Sequence, residues 1–283
     1  MKKNIKESLL LLAALWASPL AAQAQTHEAH TGFSNHAEAN PVGMRDPDAY
    51  SEGFKRNQGV YALDPRYRLR MGDEDLFASL RFDRLEYVRA GGRGWGAYDG
   101  QAWFGTSYDR LVLKGEGEIA DGRLRESRSE VLWGHAVSAF WDLQLGARFD
   151  YGRGEPSRQW LAVGAQGLAP YWFDVDATAY LGTGGRSALR LNASYDFLLS
   201  QRLYLQPGVE VNFYMKDDPD RGIGPGLSDG KVGLRLKYEI SRQLTPYVGV
   251  EWSGKFGKTA TYARDAGASR QETRFVAGLS FWF

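Results

Sequence analysis

The sequence predicts an all-β chain, a transmembrane antiparallel up-and-down β-barrel of about twelve strands. Three observations predict it. Apolar and polar residues alternate with period two through most of residues 76–283. The composition couples 34 Gly, 15 Tyr and 9 Trp to a mean hydropathy of −0.44, which is too polar for a bundle of membrane helices. The chain ends on Phe281-Trp282-Phe283, where a stripe counted back in twos runs through Phe283, Phe281, Leu279, Ala277 and Phe275. A barrel accommodates all three, because half of its strand residues face lipid and half face a wet interior.

The first residues read as an address. Lys2, Lys3 and Lys6 precede an apolar run from Leu9 to Trp16, and Ala22-Gln23-Ala24 fits a small-x-small cleavage site. Residues 1–24 are therefore expected to be a signal peptide, and the run is too short to span a bilayer. Residues 25–75 are expected to form a periplasmic tail and lead-in, mostly disordered, rich in Ala, Asn, Gly, Glu and His without helical or strand period. Residues 76–283 form the barrel.

Within the barrel, alternation places strands near 76–89, 97–106, 109–120, 123–136, 138–151, 158–168, 171–182, 187–199, 203–215, 228–241, 244–256 and 271–283. Around residues 231–240, Val232, Leu234, Leu236, Tyr238 and Ile240 oppose Gly233, Arg235, Lys237 and Glu239. Short connections such as Ala169-Pro170 and Ser241-Arg242-Gln243 are expected at the periplasmic end. Longer ones, such as Lys216 to Leu227 and Gly257 to Arg270, are expected outside. Asp121-Gly122 reads as a tight hairpin, whose central residues need positive φ. Near Arg84 the alternation slips by one residue, which marks a bulge.

With apolar residues assigned to lipid, the interior acquires Lys114, Glu116, Glu118, Arg128, Glu130, Asp142, Arg148, Asp150, Asp174, Asp176, Arg190, Asp196, Glu210, Arg235, Lys237, Glu239, Glu251 and Arg274. Asp83 and Glu86 join them. Acidic members outnumber basic ones, so the interior is expected either to concentrate cations or to fill itself with ion pairs.

The whole chain carries 35 Lys+Arg against 34 Asp+Glu, which excludes a polybasic nucleic-acid binder. It has no cysteine, hence no disulfide framework and no thiolate chemistry. Three of its four histidines, His27, His30 and His36, lie in the tail with Met44 close behind; imidazole and thioether are the ligands that suit copper. His135, the fourth, falls on the lipid side near a periplasmic turn, as an interfacial girdle residue would. No Gly-x-Ser-x-Gly elbow occurs and His135 is the one rigid candidate base, so the sequence argues against an enzyme.

Several stretches carry a family resemblance. They include Asp83-x-x-Glu86-Tyr87, Leu113-Lys114-Gly115-Glu116-Gly117-Glu118, Phe140-Trp141-Asp142-Leu143-Gln144 and Gly164-x-Gln166-Gly167-Leu168-Ala169-Pro170-Tyr171-Trp172-Phe173. Gly233-Leu234-Arg235-Leu236-x-Tyr238-Glu239-Ile240, Pro246-Tyr247-Val248-Gly249-Val250 and the closing Phe281-Trp282-Phe283 extend the set. Across roughly residues 76–283 the chain resembles the copper-resistance protein B family of outer-membrane proteins. The resemblance implies an outer-membrane barrel, copper-ion binding, and a part in copper tolerance beside periplasmic copper proteins. Members often carry a Met/His-rich N-terminal segment, which here shrinks to His27, His30, His36 and Met44.

The expectation is therefore an outer-membrane copper-resistance barrel that binds copper ions or lets them cross. The candidate metal ligands are His27, His30, His36, Met44, Asp83, Glu86, Glu116 and Glu130, and the copper is bound or transported rather than catalytic. Expected partners are outer-membrane lipid, copper ions and periplasmic copper proteins. The alternative is a plugged structural barrel that docks such proteins, with a lipid-acting enzyme a distant third.

Overall fold

The computed structural model describes Glu52 and residues 75–283. The expected signal peptide and, but for Glu52 and residue 75, the expected tail lie outside the described residues, and with them His27, His30, His36 and Met44.

Among the described residues, thirteen strands and one α-helix follow one another. They are β1 (Phe77–Ala90), β2 (Arg93–Gly105), β3 (Asp109–Ala120), β4 (Arg123–Ser138), β5 (Trp141–Gly152), β6 (Glu155–Ala169), β7 (Phe173–Gly182) and β8 (Arg186–Ser194), then the two-residue β9 (Phe197–Leu198). After these come β10 (Leu203–Tyr214), β11 (Gly226–Tyr238), β12 (Leu244–Lys255), helix α1 (Gly257–Asp265) and β13 (Gln271–Trp282). Every strand pairing is antiparallel. β9 extends β8 along the same neighbour, β10, after an interruption at Tyr195-Asp196. Twelve long strands thus form a closed ring, with β1 on β13 and β10 on β11. At the seam the Phe283 and Leu80 backbones exchange both hydrogen bonds, at 2.8 and 2.9 Å, so the terminal aromatic closes the barrel.

The wall is apolar outside. On β11, Leu234 and Leu236 are 40% and 38% exposed while Arg235 and Lys237 between them are 8% and 6% exposed. No helix among the described residues is long and apolar enough to cross a membrane; the strands do so, each hydrogen-bonded to its neighbours around the ring.

The two ends differ. Both chain-terminal strands meet at what we call the terminal end, together with the turns β2–β3, β4–β5, β6–β7, β9–β10 and β11–β12. At the opposite, loop end lie two-residue hairpins at Gly91-Gly92 (φ 55° and 80°), Asp121-Gly122 (φ 52° and 67°) and Arg153-Gly154. Positive φ at both central positions of the first two matches strand twist, as expected for Asp-Gly. Strands β2 and β6 therefore start at Arg93 and Glu155, earlier than alternation alone suggests, because Gly91-Gly92 and Arg153-Gly154 suffice to turn the chain. The two long loop-end connections are more ordered than their composition predicts. Residues 215–225 contain a 3-10 turn at Pro219–Arg221, and residues 256–270 contain α1. In α1, Ala260 and Ala263, three residues apart, are buried, and Gly267 with φ 71° stands just past the helix end.

The bulge falls where the alternation slips. Phe82 pairs Gly100 and Arg84 pairs Asp99, leaving Asp83 as the extra residue. Asp83 and Arg84, adjacent in sequence, consequently both line the lumen.

Candidate functional site

The interior is a set of ion pairs built on alternate strand positions. Arg235 of β11 donates to Glu86 of β1 at 3.2 Å and to Glu251 of β12 at 3.0 Å, and the Tyr247 hydroxyl donates to the same Glu86 at 3.0 Å. Arg274 lies 3.6 Å from both Glu251 and Glu118, with its guanidinium 5.3 Å from the Trp95 ring centre. Tyr180 of β7 donates to Glu130 of β4 at 2.8 Å. Arg148 holds Asp150 with two hydrogen bonds, at 2.7 and 2.9 Å, and Asp150 also accepts from the Trp160 indole at 2.8 Å.

The longest reach is across the lumen. Arg190 of β8 makes a two-pronged bond to Glu116 of β3, at 3.1 and 2.7 Å. Four strands separate β3 from β8 one way round the ring and six the other, so this pair nearly spans the diameter. Lys114 of β3 reaches Asp176 of β7 at 2.6 Å in the same sense.

Beside these pairs lies a cavity of about 210 Å³. Eight basic side chains line it, namely Arg81, Arg84, Lys114, Arg128, Arg190, Lys231, Arg235 and Lys237. Eight acidic ones match them: Asp83, Asp99, Glu116, Glu130, Asp174, Asp176, Glu210 and Glu251. Around this cavity the charges balance, whereas the wider set of inward residues is acidic in majority. The bulge turns Arg84 inward, and Lys231 shares the inward face of β11 with Arg235. Simple parity with Arg235 identifies Lys231 from sequence; Arg84 escapes because the bulge breaks parity. The cavity shares Arg81 and Gln101 with a second space at the terminal end, lined also by Ser79, Trp103 and Trp282.

Of the candidate ligands, Asp83, Glu116 and Glu130 line the one cavity, and Glu86 is committed to Arg235 and Tyr247 outside its wall. Asp83 is the least buried of the four and, among the described residues, pairs with Arg81, at 3.1 Å. Among the described residues no group of three or more His, Cys, Asp or Glu side chains is arranged to hold a metal ion. His135 points outward beside Trp133, and both donate toward, or share a proton with, Asp109 Oδ1, at 2.8 and 3.0 Å.

At the loop end, Asp218 is 4% exposed and takes two hydrogen bonds from Arg158 of β6, both 2.9 Å, with Arg186 at 3.2 Å. Its neighbour Asp217 pairs with Lys258 and Tyr262 of α1. The segment 215–225 is thus pinned from two sides, and Ile223 packs into the interior apolar cluster of Leu132, Trp160, Ala162, Tyr180 and Tyr214. The Arg158 hydrogen bonds hold the Asp218 carboxyl below the usual carboxylate range.

A closed barrel with an apolar wall and an ion-paired lumen defines a β-barrel membrane protein of the outer-membrane class. Within that class the family is specific. The family described as "Copper resistance protein B precursor" matches residues 76–283. A Copper resistance protein B homolog of Pseudomonas syringae pv. tomato is 41% identical over 98% of this chain and 95% of its own length. Copper resistance protein B of Escherichia coli is 37% identical over all of both chains. The chain belongs to the copper resistance protein B family. Among solved structures, the KdgM porin is similar at 15% identity with a TM-score of 0.44, covering 72% of this chain and 99% of that one. Outer membrane phospholipase A from Escherichia coli is similar at 13% identity with a TM-score of 0.43, covering 72% and 89%.

Proposed function

We propose that this protein sits in the outer membrane after removal of residues 1–24 and contributes to copper tolerance by binding copper ions or letting them cross, without catalysis. The observation that carries this reading is the combination of family membership with a polar cavity that leads from mid-lumen toward the terminal end. In this reading His27, His30, His36 and Met44 offer nitrogen and sulfur donors ahead of the barrel. Asp83, Glu86, Glu116 and Glu130 supply carboxylates within it. Asp83 makes first contact, being the most exposed, and Glu116 follows deeper in. Binding by such groups is weak and multi-site, as passage requires.

A second reading, a plugged barrel that docks periplasmic copper proteins, is favoured by the Glu116–Arg190 pair across the lumen. Copper-dependent survival of cells separates the two. Loss of tolerance on changing Asp83 and Glu116 to Ala, with insertion intact, supports the carboxylate path. Tolerance that survives those changes but is lost on deleting residues 25–60 supports docking. Copper stoichiometry of the purified protein, with and without residues 25–60, tests the tail donors directly.

A further inference from the structure

The lumen-crossing pair belongs to a longer chain of alternating charge. Arg128 of β4 contacts Glu116 at 2.7 Å, Glu116 accepts from Arg190, Arg190 reaches Glu210 of β10 at 3.1 Å, and Lys231 of β11 lies 3.7 Å from Glu210. The five side chains join the β3–β4 wall to the β8–β10–β11 wall as one transverse bar.

On the strands that carry it, the cavity stops at this bar; on β7 it reaches Tyr180. All five of its residues line the cavity. On the same five strands, the next inward residues toward the loop end are Glu118, Glu126, Ala188, Asn212 and Asp229, and none of them lines it. Beyond the bar Asn212 bridges Glu210 and Asp229, at 3.1 and 2.7 Å, and Trp160 packs edge-on against Tyr214. Toward the terminal end the space continues past Arg81 and Gln101.

We propose that the Arg128–Glu116–Arg190–Glu210–Lys231 bar is the latch that closes the lumen, with Arg190 its central bolt. Arg190 is the member that contacts carboxylates on both walls, Glu116 on one and Glu210 on the other. Its planar fork satisfies both at once, which a neutral side chain cannot do. Withdrawing the guanidinium leaves the halves of the bar anchored to their own walls, Arg128 with Glu116 and Lys231 with Glu210. The tie between Glu116 and Glu210 is then gone, and the space between those two carboxylates opens. This inference gives the regulation of the copper path proposed above and rests on that reading only for its physiological meaning.

The test is ionic current through the purified full chain in planar lipid bilayers in potassium chloride, which involves no copper. Wild type is expected to pass little current. Arg190→Gln is expected to pass several-fold more. The double variant Glu116→Gln with Arg190→Gln removes opposite charges together, leaves Arg128 with Asp150 at 3.8 Å, and is expected to conduct as Arg190→Gln does. Heat-modifiable gel mobility checks that each barrel is folded. Equal current in wild type and in a folded neutral variant, single or double, overturns the latch. Failure of the copper survival experiment with an opened current in Arg190→Gln would retain the latch and discard the copper path.

Discussion

Removing Arg235 probes how much the interior charges contribute to the barrel. Its guanidinium lies 3.2 Å from Glu86 and 3.0 Å from Glu251, and all three residues are buried. In Arg235→Ala, Glu251 keeps Arg274 at 3.6 Å, but Glu86 keeps only the Tyr247 hydroxyl. Breaking a buried ion pair by deleting one partner costs about 3–5 kcal/mol, because the remaining charge is uncompensated. One carboxylate is stranded here rather than two, so the expected loss lies at the low end, about 3 kcal/mol. Urea unfolding of the barrel in phospholipid vesicles, followed by tryptophan fluorescence, measures it. Adding Glu86→Gln to Arg235→Ala neutralises the stranded group and is expected to restore a large part of the loss, a non-additivity that neighbours in one network show. A loss under about 1 kcal/mol, or a double variant no better than the single one, would refute the view that Glu86 depends on Arg235.

Three further outcomes follow from the same geometry. Tyr247→Phe removes a hydrogen bond to the charged Glu86 while keeping the ring, and is expected to cost about 1–2 kcal/mol in the same unfolding assay. Gly122→Ala puts a Cβ at φ 67° in the β3–β4 hairpin and is expected to cost about 1 kcal/mol, since no neighbouring atom crowds the site and only the backbone conformation is penalised. Asp218→Asn weakens the clamp on residues 215–225 and is expected to speed tryptic cleavage after Lys216 and Arg221. The native Asp218 carboxyl is held below its ordinary 3.8, so its contribution is complete above that pH and is lost as pH falls through the lowered value. Protection of the 217–223 amides, taken as the exchange rate relative to an unstructured peptide at the same pH, should therefore hold down to about pH 4 and fall only in stronger acid. Loss of protection near neutral pH would point to a different titrating group.

The fold was legible because a barrel strand encodes its two faces locally. Alternation at i and i+2 separates Val232, Leu234 and Leu236 from Gly233, Arg235 and Lys237 without knowledge of any other strand. Hairpins announced by Asp121-Gly122 are equally local. Helix α1 was missed because its nine residues carry only a short buried stripe at Thr259, Ala260 and Ala263 and lie between two glycines. The local signal that marks its end is Gly267 beyond Ala266. Asp217 and Asp218 look like solvated loop charges in sequence. What decides their role is Arg158, Arg186 and Lys258, at least 32 residues away along the chain.

The candidate site was legible only as an inventory. Sequence parity places Glu116, Arg190 and Glu210 inside, yet parity is blind to depth. Which inward residues share a level depends on strand tilt and on the stagger with which the ring closes. Glu116 meets Arg190 across a separation of 74 residues, and Glu86 meets Arg235 across 149. The same blindness hides which of the interior charges are paired. A tally of inward residues treats each carboxylate as free to attract a cation, whereas closure gives Glu116, Glu130 and Glu210 a donor each. The lumen's capacity for cations therefore depends less on how many acids it holds than on how readily its own arginines leave them, which is the property that substitution of Arg190 measures.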